Sequence, residues 1–584
     1  MLFRFLETRL QEAVAAVLPD ARLESILIRP CPDAKFGDYQ TSALMAVAKA
    51  RQLNPRKLGA DVIAKLDVGE WCEKVEVAGP GFLNFHLRTA ALGKVLGTLA
   101  GGKADVFEPT RRARTVVIDF SSPNVAKPMH VGHIRSTILG DCLARTLRLL
   151  GHRVVTDNHI GDWGTQFGKL LVGWKRMLDR GAVERDPIGE MERLYRAINA
   201  ECEEQPATLE AARQELVKLQ AGDEENLRIW REMQALSQGQ FDTVYGRLGV
   251  KFDHTLGESF YNPWLRETVE QLKSRGIARE SDGATAIFSD GLLAPKDDPF
   301  LISRDGKWQP NPALIQKTDG GFNYATTDLA TLDYRVRTWQ PDQILYVTDG
   351  RQQLHFRQIF AAYGRWRPEV KVELVHVWFG SILGPDGKPF KTRAGDTVKL
   401  TDLLDEAEER AFQVVTGKNP ELPEAERREI ARIVGIGAVK YADLAPNRQS
   451  DYKFDWDRIL SLEGNTAPYL QYAYTRIRSI FRKAGMAAAP GGALELTEPE
   501  EMRLLKHLLN FGLTLETVAE ECRPNYLCNY LFELAGHFGR FYEACPVLKG
   551  SEAQRAVRLA LCEAAARVLK QGLEVLGIET TEQM

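Results

Sequence analysis

The chain has 584 residues, of which 44% are hydrophobic and 27% charged, and its 76 Lys and Arg against 79 Asp and Glu leave a formal charge of −3. That length suggests about three to five domains and a core large enough to need no disulfide or metal staples. A charge this close to zero excludes bulk positive charge as the means of holding nucleic acid, although a local basic face would suffice.

Taken in chain order, three regions differ in texture. Residues 1–110 mix helical stretches, beginning with an amphipathic helix within residues 1–21, with short strands. Trp71–Val77 leads into the turn Gly79-Pro80-Gly81 and the alternating Phe82-Leu83-Asn84-Phe85, which predicts a small α+β domain. Pro109 and Arg111-Arg112-Ala113-Arg114 mark its end. In residues 111–415, Thr115–Phe120, Arg153–Asp157, Gln343–Thr348 and Glu373–Phe379 read as strands, and His130–Leu150 has helical spacing. Alternation of strand and helix predicts an α/β, Rossmann-like parallel sheet. Two stretches interrupt it as insertions: a charged helical one at about 170–250 and a Gly- and Asp-rich, hairpin-like one at about 280–320. Residues 416–584 are helical, punctuated by a loop at Gly485–Gly492, and predict an all-α bundle.

The eight cysteines (Cys31, Cys72, Cys142, Cys202, Cys522, Cys528, Cys545 and Cys562) form no C-x-x-C pair, so no zinc is expected, and they are too sparse for a disulfide framework. The N-terminal helix lacks the apolar segment of an export signal, and no apolar run is long enough to span a membrane. A reducing cytoplasm is the expected location.

The most specific feature is His130-Val131-Gly132-His133, set between a predicted strand and a predicted helix. A helix start there would offer unpaired N–H groups and a positive dipole end to phosphate. Gly132 would let a flat base lie on the backbone, and His130 and His133 could donate to phosphate oxygens as their charge grows. Two ordinary helix-start histidines, or a metal pair lacking a nearby third ligand, are the competing readings. No G-x-x-x-x-G-K-[ST] occurs, which excludes a P-loop.

This tetrad resembles the HIGH signature of class I aminoacyl-tRNA synthetases. The string Ser122-Pro123-Asn124-Val125-Ala126-Lys127-Pro128-Met129 before it, Ile134-Arg135-Ser136-Thr137 after it, and Asn158–Gly168 are similar to the arginyl-tRNA synthetases, bacterial type. Resemblance runs from about residue 36 to the C-terminus and is weakest at 175–235. It implies a second, mobile signature loop, whose place is taken here by Lys388-Pro389-Phe390-Lys391-Thr392-Arg393-Ala394-Gly395. Strict K-M-S-K is absent. Lys391 and Arg393 would offer cations to leaving pyrophosphate, and Lys127 would supply the missing lysine charge. ATP as substrate would then lie on His130, Gly132, His133, Lys127 and Lys391, with Mg²⁺ carried on its phosphates.

An arginine side chain ends in a planar, always charged fork of five donors, so its pocket needs carboxylates at fixed angles. Gly257-Glu258-Ser259 and Tyr324-Ala325-Thr326-Thr327-Asp328 supply candidates, and Tyr324 and Asp328 share a face if that segment is helical. The resemblance implies that Glu258 and Asp328 hold the guanidinium, that Tyr324 packs on it or bonds to it, and that Asn124 and Gln352 bind the α-amino and carboxylate end. It also implies a two-step reaction through arginyl-adenylate, and bound tRNA for the first step.

Aromatic residues interleaved with basic ones at Ala467–Arg478 suit unstacked RNA bases, although tyrosines on a helix are as readily part of a core. The resemblance places an anticodon-binding domain here, with Tyr469, Tyr472 and the terminal Met584 near the anticodon of tRNA(Arg). Phe82 and Asn84 resemble residues that read a D-loop base. A monomer is expected from the same source. Another HIGH-type ligase, a small adenylyltransferase and a catalytically dead tRNA-binding paralogue are the alternatives. A cysteinyl enzyme would want zinc-ligating cysteines, which are missing here; a small adenylyltransferase would not need the helical tail; and a dead paralogue does not explain why His130, His133, Lys391, Glu258 and Asp328 are all present.

Overall fold

The computed structural model describes residues 2–100, 105–110, 112–384, 386–388, 390, 398–485 and 494–584. At the N-terminus α1 (Leu2–Val17) buries Leu2, Phe3, Leu6, Leu10, Ala13 and Val14, the stripe expected of an amphipathic helix. Strands β1 (Arg29–Pro30) and β2 (Tyr39–Thr41), helices α2 (Ala43–Ala50) and α3 (Pro55–Ile63), strands β3 (Cys72–Ala78) and β4 (Phe82–Leu87), and helix α4 (Thr89–Ala100) follow. The strands form an antiparallel sheet in the order β1-β2-β4-β3. Gly81 closes the β3–β4 turn at φ 136°, where an added Cβ would lie 2.8 Å from Pro55, so this turn needs glycine.

The central region is built on β5 (Thr115–Asp119), α5 (Val131–Leu149) and β6 (Arg153–Asp157), later joined by α12 (Tyr324–Trp339), β12 (Gln343–Tyr346), α13 (Gln353–Trp366) and β13 (Glu373–His376). All four strands are parallel, in the order β13-β12-β5-β6. The two central strands are buried along nearly their whole length, which is why they read as continuous apolar runs rather than alternating ones. Chain order reverses between β5 and β12, so a crevice opens at their carboxyl ends, where parallel sheets take ligands.

The first interruption is a helical array: α6 (Gln166–Met177), α7 (Arg180–Arg185), α8 (Pro187–Glu204), α9 (Pro206–Ala221) and α10 (Glu224–Leu248). After α11 (Asn262–Ser274) comes the second, with β7 (Ala278–Ser281), β8 (Ala284–Ile287), β9 (Leu301–Arg304), β10 (Lys307–Pro310) and β11 (Ala313–Gln316). These form a small antiparallel sheet, β11-β8-β7, and a separate β9–β10 hairpin.

Beyond β14 (Ile382–Leu383) the described residues are mostly helical: α14 (Leu400–Lys418), α15 (Glu424–Leu444), α16 (Trp456–Ile459), α17 (Ala467–Ala484), α18 (Pro499–Leu508), α19 (Phe511–Glu521), α20 (Asn525–Ala544) and α21 (Glu552–Val575). The limit expected at 415/416 falls inside α14, and β15 (Tyr452–Lys453) reaches back to pair with β14. The loop expected at Gly485–Gly492 lies outside the described residues beyond its first residue. The N-terminal sheet and α1 dock on this helical region. The Tyr39 hydroxyl donates to Asn510 (3.1 Å), Asp38 pairs with Lys506, and Arg4 Nε donates to Glu516 (2.9 Å). Among the described residues no helix is long and apolar enough to cross a membrane.

Candidate active site

Between β5 and α5 the backbone enters the left-handed region at three non-glycine residues, Ser121 (φ 76°), Ser122 (φ 51°) and Ala126 (φ 63°). Each costs about 1–3 kcal/mol, and such strain persists only where the surroundings over-determine it. They do so here. Ser121 N–H donates to the Ser136 hydroxyl (2.8 Å), its own hydroxyl pairs with Thr137 and Tyr245 (2.8 Å each), and Ala126 N–H donates to Ser237 (2.9 Å). Val125 N–H donates to Gly161 O (2.9 Å), which brings Asn124 against the segment after β6. A Cβ at Gly161 would sit 2.2 Å from Asn124 Oδ1.

His130 is the N-cap of α5, in extended conformation, and its Nδ1 accepts from Gly132 N–H (3.1 Å). His133 Nδ1 accepts in return from His130 N–H (3.0 Å). The two imidazoles thus form a reciprocal capping box, their rings 4.0 Å apart. This corrects the expectation of free helix-start N–H groups. Val131 N–H is used by Val398 O (3.0 Å), Gly132 N–H by His130, and His133 N–H by His130 O (2.8 Å). The donors left for phosphate are the imidazoles themselves. Burial first, then the neighbouring His130, pulls His133 down to about 3; burial and then Lys127 lower His130. With Nδ1 accepting, a neutral ring carries its proton on Nε2 and presents it as a donor.

The role expected of Gly132 also changes, because the space of a side chain there is taken by the His130 ring, 2.8 Å from where a Cβ would lie. Beside it a cavity of about 210 Å³ is lined by His130, Gly132, Asp349, Phe379 and Gly380. Arg135, one turn into α5, fixes its floor. The buried guanidinium pairs with Asp443 (2.8 Å) and donates to Gly380 O (2.8 Å). Lys127 is exposed, its Nζ 5.7 Å from the Tyr195 ring on α8. Lys391 and Arg393 lie outside the described residues.

The other end of the crevice is organised by Asp162. Its carboxylate accepts from Ser259 N–H (2.8 Å), the Ser259 hydroxyl (2.6 Å) and Gln234 (2.6 Å), and its carbonyl accepts from Trp230 (2.9 Å). A Cβ at Gly257 would lie 2.3 Å from that carboxylate, so glycine is required by close approach. Glu258 N–H donates to Ile160 O (3.1 Å), which sets the half-buried Glu258 side chain in the crevice. Burial, then Asp328, then Asp162 push its carboxyl up to about 8. Tyr324 and Asp328 occupy successive turns of α12, as their spacing predicts. Tyr324 is 68% exposed and forms an open rim; burial, then Glu258, raises its phenol. Asp328 Oδ2 lies 2.6 Å from His355 Nε2. Gln352 is exposed at the end of the 3₁₀ turn Gly350–Gln352, directly before α13.

Asp328 and Tyr324 both lie close enough to Glu258 for their charges to interact, with Asn124 joined to them through Gly161 and Ile160, and Gln352 through the start of α13. Sequence reasoning missed Asp162, His355 and the layer beneath. In that layer the fully buried Arg335 of α12 pairs with Asp119 and Asp157, at 2.8 Å each, clamping α12 to the ends of β5 and β6.

The residues expected to meet RNA lie apart from this crevice. Tyr469 is half-buried against Phe532 (5.7 Å), whereas Tyr472 is 45% exposed. Met584 packs against the buried cluster that Ala411 and Val415 of α14 form with Ile430, Ala431 and Val434 of α15. Its approach is held by Arg432–Glu579 (2.8 Å) and by the Tyr474 hydroxyl donating to Glu582 (2.7 Å). In the N-terminal sheet Phe82 is half-buried, and Asn84 is 3% exposed with its Oδ1 unpartnered among the described residues.

Comparison with known proteins bears on all three regions. Residues 98–456 match the family model for tRNA synthetases class I (R), catalytic domain; residues 4–87 match the arginyl tRNA synthetase N terminal domain, and 470–584 the DALR anticodon binding domain. The chain is 44% identical to the arginine–tRNA ligase of Chromobacterium violaceum over 588 aligned residues, 100% of both chains. It is 46% identical to that of Escherichia coli O139:H28 over 568, covering 95% of each. Among solved structures, the arginyl-tRNA synthetase of Thermus thermophilus superposes with a TM-score of 0.83 at 27% identity, covering 100% of both chains. That of Plasmodium falciparum superposes with a TM-score of 0.80 at 28% identity, covering 100% of this chain and 99% of the other. The chain therefore belongs to the arginyl-tRNA synthetases of class I, and it joins arginine to tRNA(Arg) for translation with ATP as substrate.

Proposed function

We propose that the two ends of the crevice divide the chemistry between them. ATP lies along the start of α5, its triphosphate reached by the Nε2–H groups of His130 and His133, by Lys127, and by Lys391 and Arg393. Gly132 lets the His130 ring fold over the backbone there. Mg²⁺ enters on the ATP phosphates. Arginine lies toward α12, its guanidinium between Glu258 and Asp328 and against Tyr324, with its α-amino and carboxylate end on Asn124 and Gln352. The arginine carboxylate attacks the ATP α-phosphorus, and pyrophosphate leaves. The terminal 2′-OH of the tRNA then attacks the mixed anhydride, and AMP leaves. No side chain forms a covalent bond. Positioning and donors aimed at the developing charge carry the rate.

The observation that carries this reading is the pair of carboxylates, Glu258 and Asp328, at one end of a crevice whose other end is a histidine-capped helix start. Residues 1–110 form the module that reads the tRNA D-loop with Phe82 and Asn84, residues 111–415 the catalytic domain, and residues 416–584 the anticodon-binding helices, with Tyr469, Tyr472 and Met584 near the anticodon. The enzyme works as a monomer in the cytoplasm. Amino-acid-dependent ATP–pyrophosphate exchange in the presence of tRNA tests the pocket: arginine supports exchange, and exchange with a different amino acid instead would reassign it.

A further inference from the structure

We propose that His355 is a positioning residue for arginine recognition: it pins one oxygen of Asp328, so that the other is presented to the guanidinium at a fixed angle. The inference rests on the assignment of Asp328 to the guanidinium. A carboxylate on a free side chain can turn about its bonds, and Asp328 faces a second acid, Glu258, which favours turning away. Two-pronged recognition of a guanidinium needs the plane of the carboxylate fixed beforehand.

The contact that fixes it is short, 2.6 Å from His355 Nε2 to Asp328 Oδ2. The ring is itself braced. It meets Phe356 edge-on at 5.5 Å, and Phe356 packs on Tyr346 (4.9 Å) and His376 (4.7 Å) over the sheet. The other strong cation near this floor, Arg335, is already taken by Asp119 and Asp157. Charged against the Asp328 carboxylate, the His355 ring donates from both nitrogens and has no acceptor left, so it cannot itself bind a guanidinium, which only donates. Burial works against a charged ring, yet the Asp328 carboxylate more than offsets it and holds the His355 pKa above the ordinary value.

Its place in the chain adds a second consequence. His355 lies in the first turn of α13, directly after the 3₁₀ turn that ends in Gln352. The bond to Asp328 therefore ties the end of the pocket that reads the side chain to the end that reads the α-carbon groups, and sets the span between them.

Steady-state aminoacylation of tRNA separates the possibilities. His355→Leu raises the arginine KM about 10–100-fold, the worth of one charge-assisted hydrogen bond, while kcat falls far less and the ATP KM stays within about twofold. In His355→Gln the amide nitrogen reaches the place of Nε2 and restores most of the arginine KM; His355→Asn is too short and does not. Should His355→Leu fail to fold, the Gln-against-Asn contrast decides alone. Equal losses in kcat, arginine KM and ATP KM, or no difference between Gln and Asn, overturn the positioning role. Asp328→Asn is the separate control. An unchanged arginine KM there removes the pocket assignment itself, whereas a raised KM there beside a normal one in His355→Leu removes only the inference about His355.

Discussion

At the start of α5 burial strips protons: His133 falls to about 3 and His130 falls with it. Across the crevice burial adds one, as Glu258 rises to about 8 under the further influence of Asp328 and Asp162. Burial thereby disfavours charge on the two imidazoles at one end and on Glu258 at the other, by opposite proton movements. A buried charge without a partner is costly, and each end avoids that cost until the substrate brings the missing charge. On the proposed assignment, the incoming triphosphate favours protons on the histidines, and the incoming guanidinium drives one off Glu258. The two sets of side chains proposed to meet substrates of opposite charge thus have proton equilibria that run in opposite directions.

Four experiments can break or sharpen that contrast. The largest effect is expected from Asp328→Ala, which leaves the guanidinium without one partner. At about 3–5 kcal/mol the arginine KM rises by roughly two to four decades. Because the α5 end is untouched, the ATP KM stays near normal, and a matching rise in it would show that the ends are not separable. His133→Ala removes one donor and half of the capping box, and single-turnover adenylate formation falls about 10–10³-fold with arginine affinity little changed. Full retention of the rate would take His133 out of the chemistry.

The pH response comes next in size. Glu258 has a raised pKa and, on the proposed assignment, binds arginine in its ionised form, so below about 8 a proton must leave first. The arginine KM therefore rises as pH falls from 8, by at most about tenfold per unit, and levels off above 8. Glu258→Gln flattens the profile, and calorimetry in buffers of different ionisation heat reads the released proton directly. A pH-independent KM in the parent enzyme would contradict the protonated state. The smallest effect is expected from Gly132→Ala. Its methyl displaces the His130 ring and loosens the cap, worth about 1 kcal/mol, or roughly fivefold in activation rate.

How far these ends could be read from sequence differs for a physical reason. The parallel strands and the helix after the HIGH motif announce themselves through local periodicity, and Thr115–Asp119 and Val131–Leu149 lie within two residues of where that periodicity places them. Tyr324 and Asp328 are four apart on one helix, so their shared face is also a local property. His355 meets Asp328 across 27 positions, Ser259 meets Asp162 across 97, and Arg335 meets Asp157 across 178. Nothing in the spacing of those residues encodes the meeting; only the folded sheet does. The histidine capping box was within reach, since a polar acceptor at the N-cap and another three residues on is a known pattern, but imidazoles there invite a catalytic reading first. The same ambiguity holds at α17, where Tyr469 and Tyr472 look alike in sequence and differ in burial because only Tyr469 meets Phe532.

The docking of the N-terminal sheet and α1 onto α18 and α19 has a consequence for biogenesis. Tyr39 and Asn510 are separated by 471 positions, and Asp38 and Lys506 by nearly as many. At bacterial elongation rates of about 5–20 residues per second, the surface that receives this module emerges on the order of 20–100 s after the module itself. Through that interval the nascent chain carries its first domain with its docking face uncovered, and only the last stretch of synthesis closes the molecule's two ends upon each other.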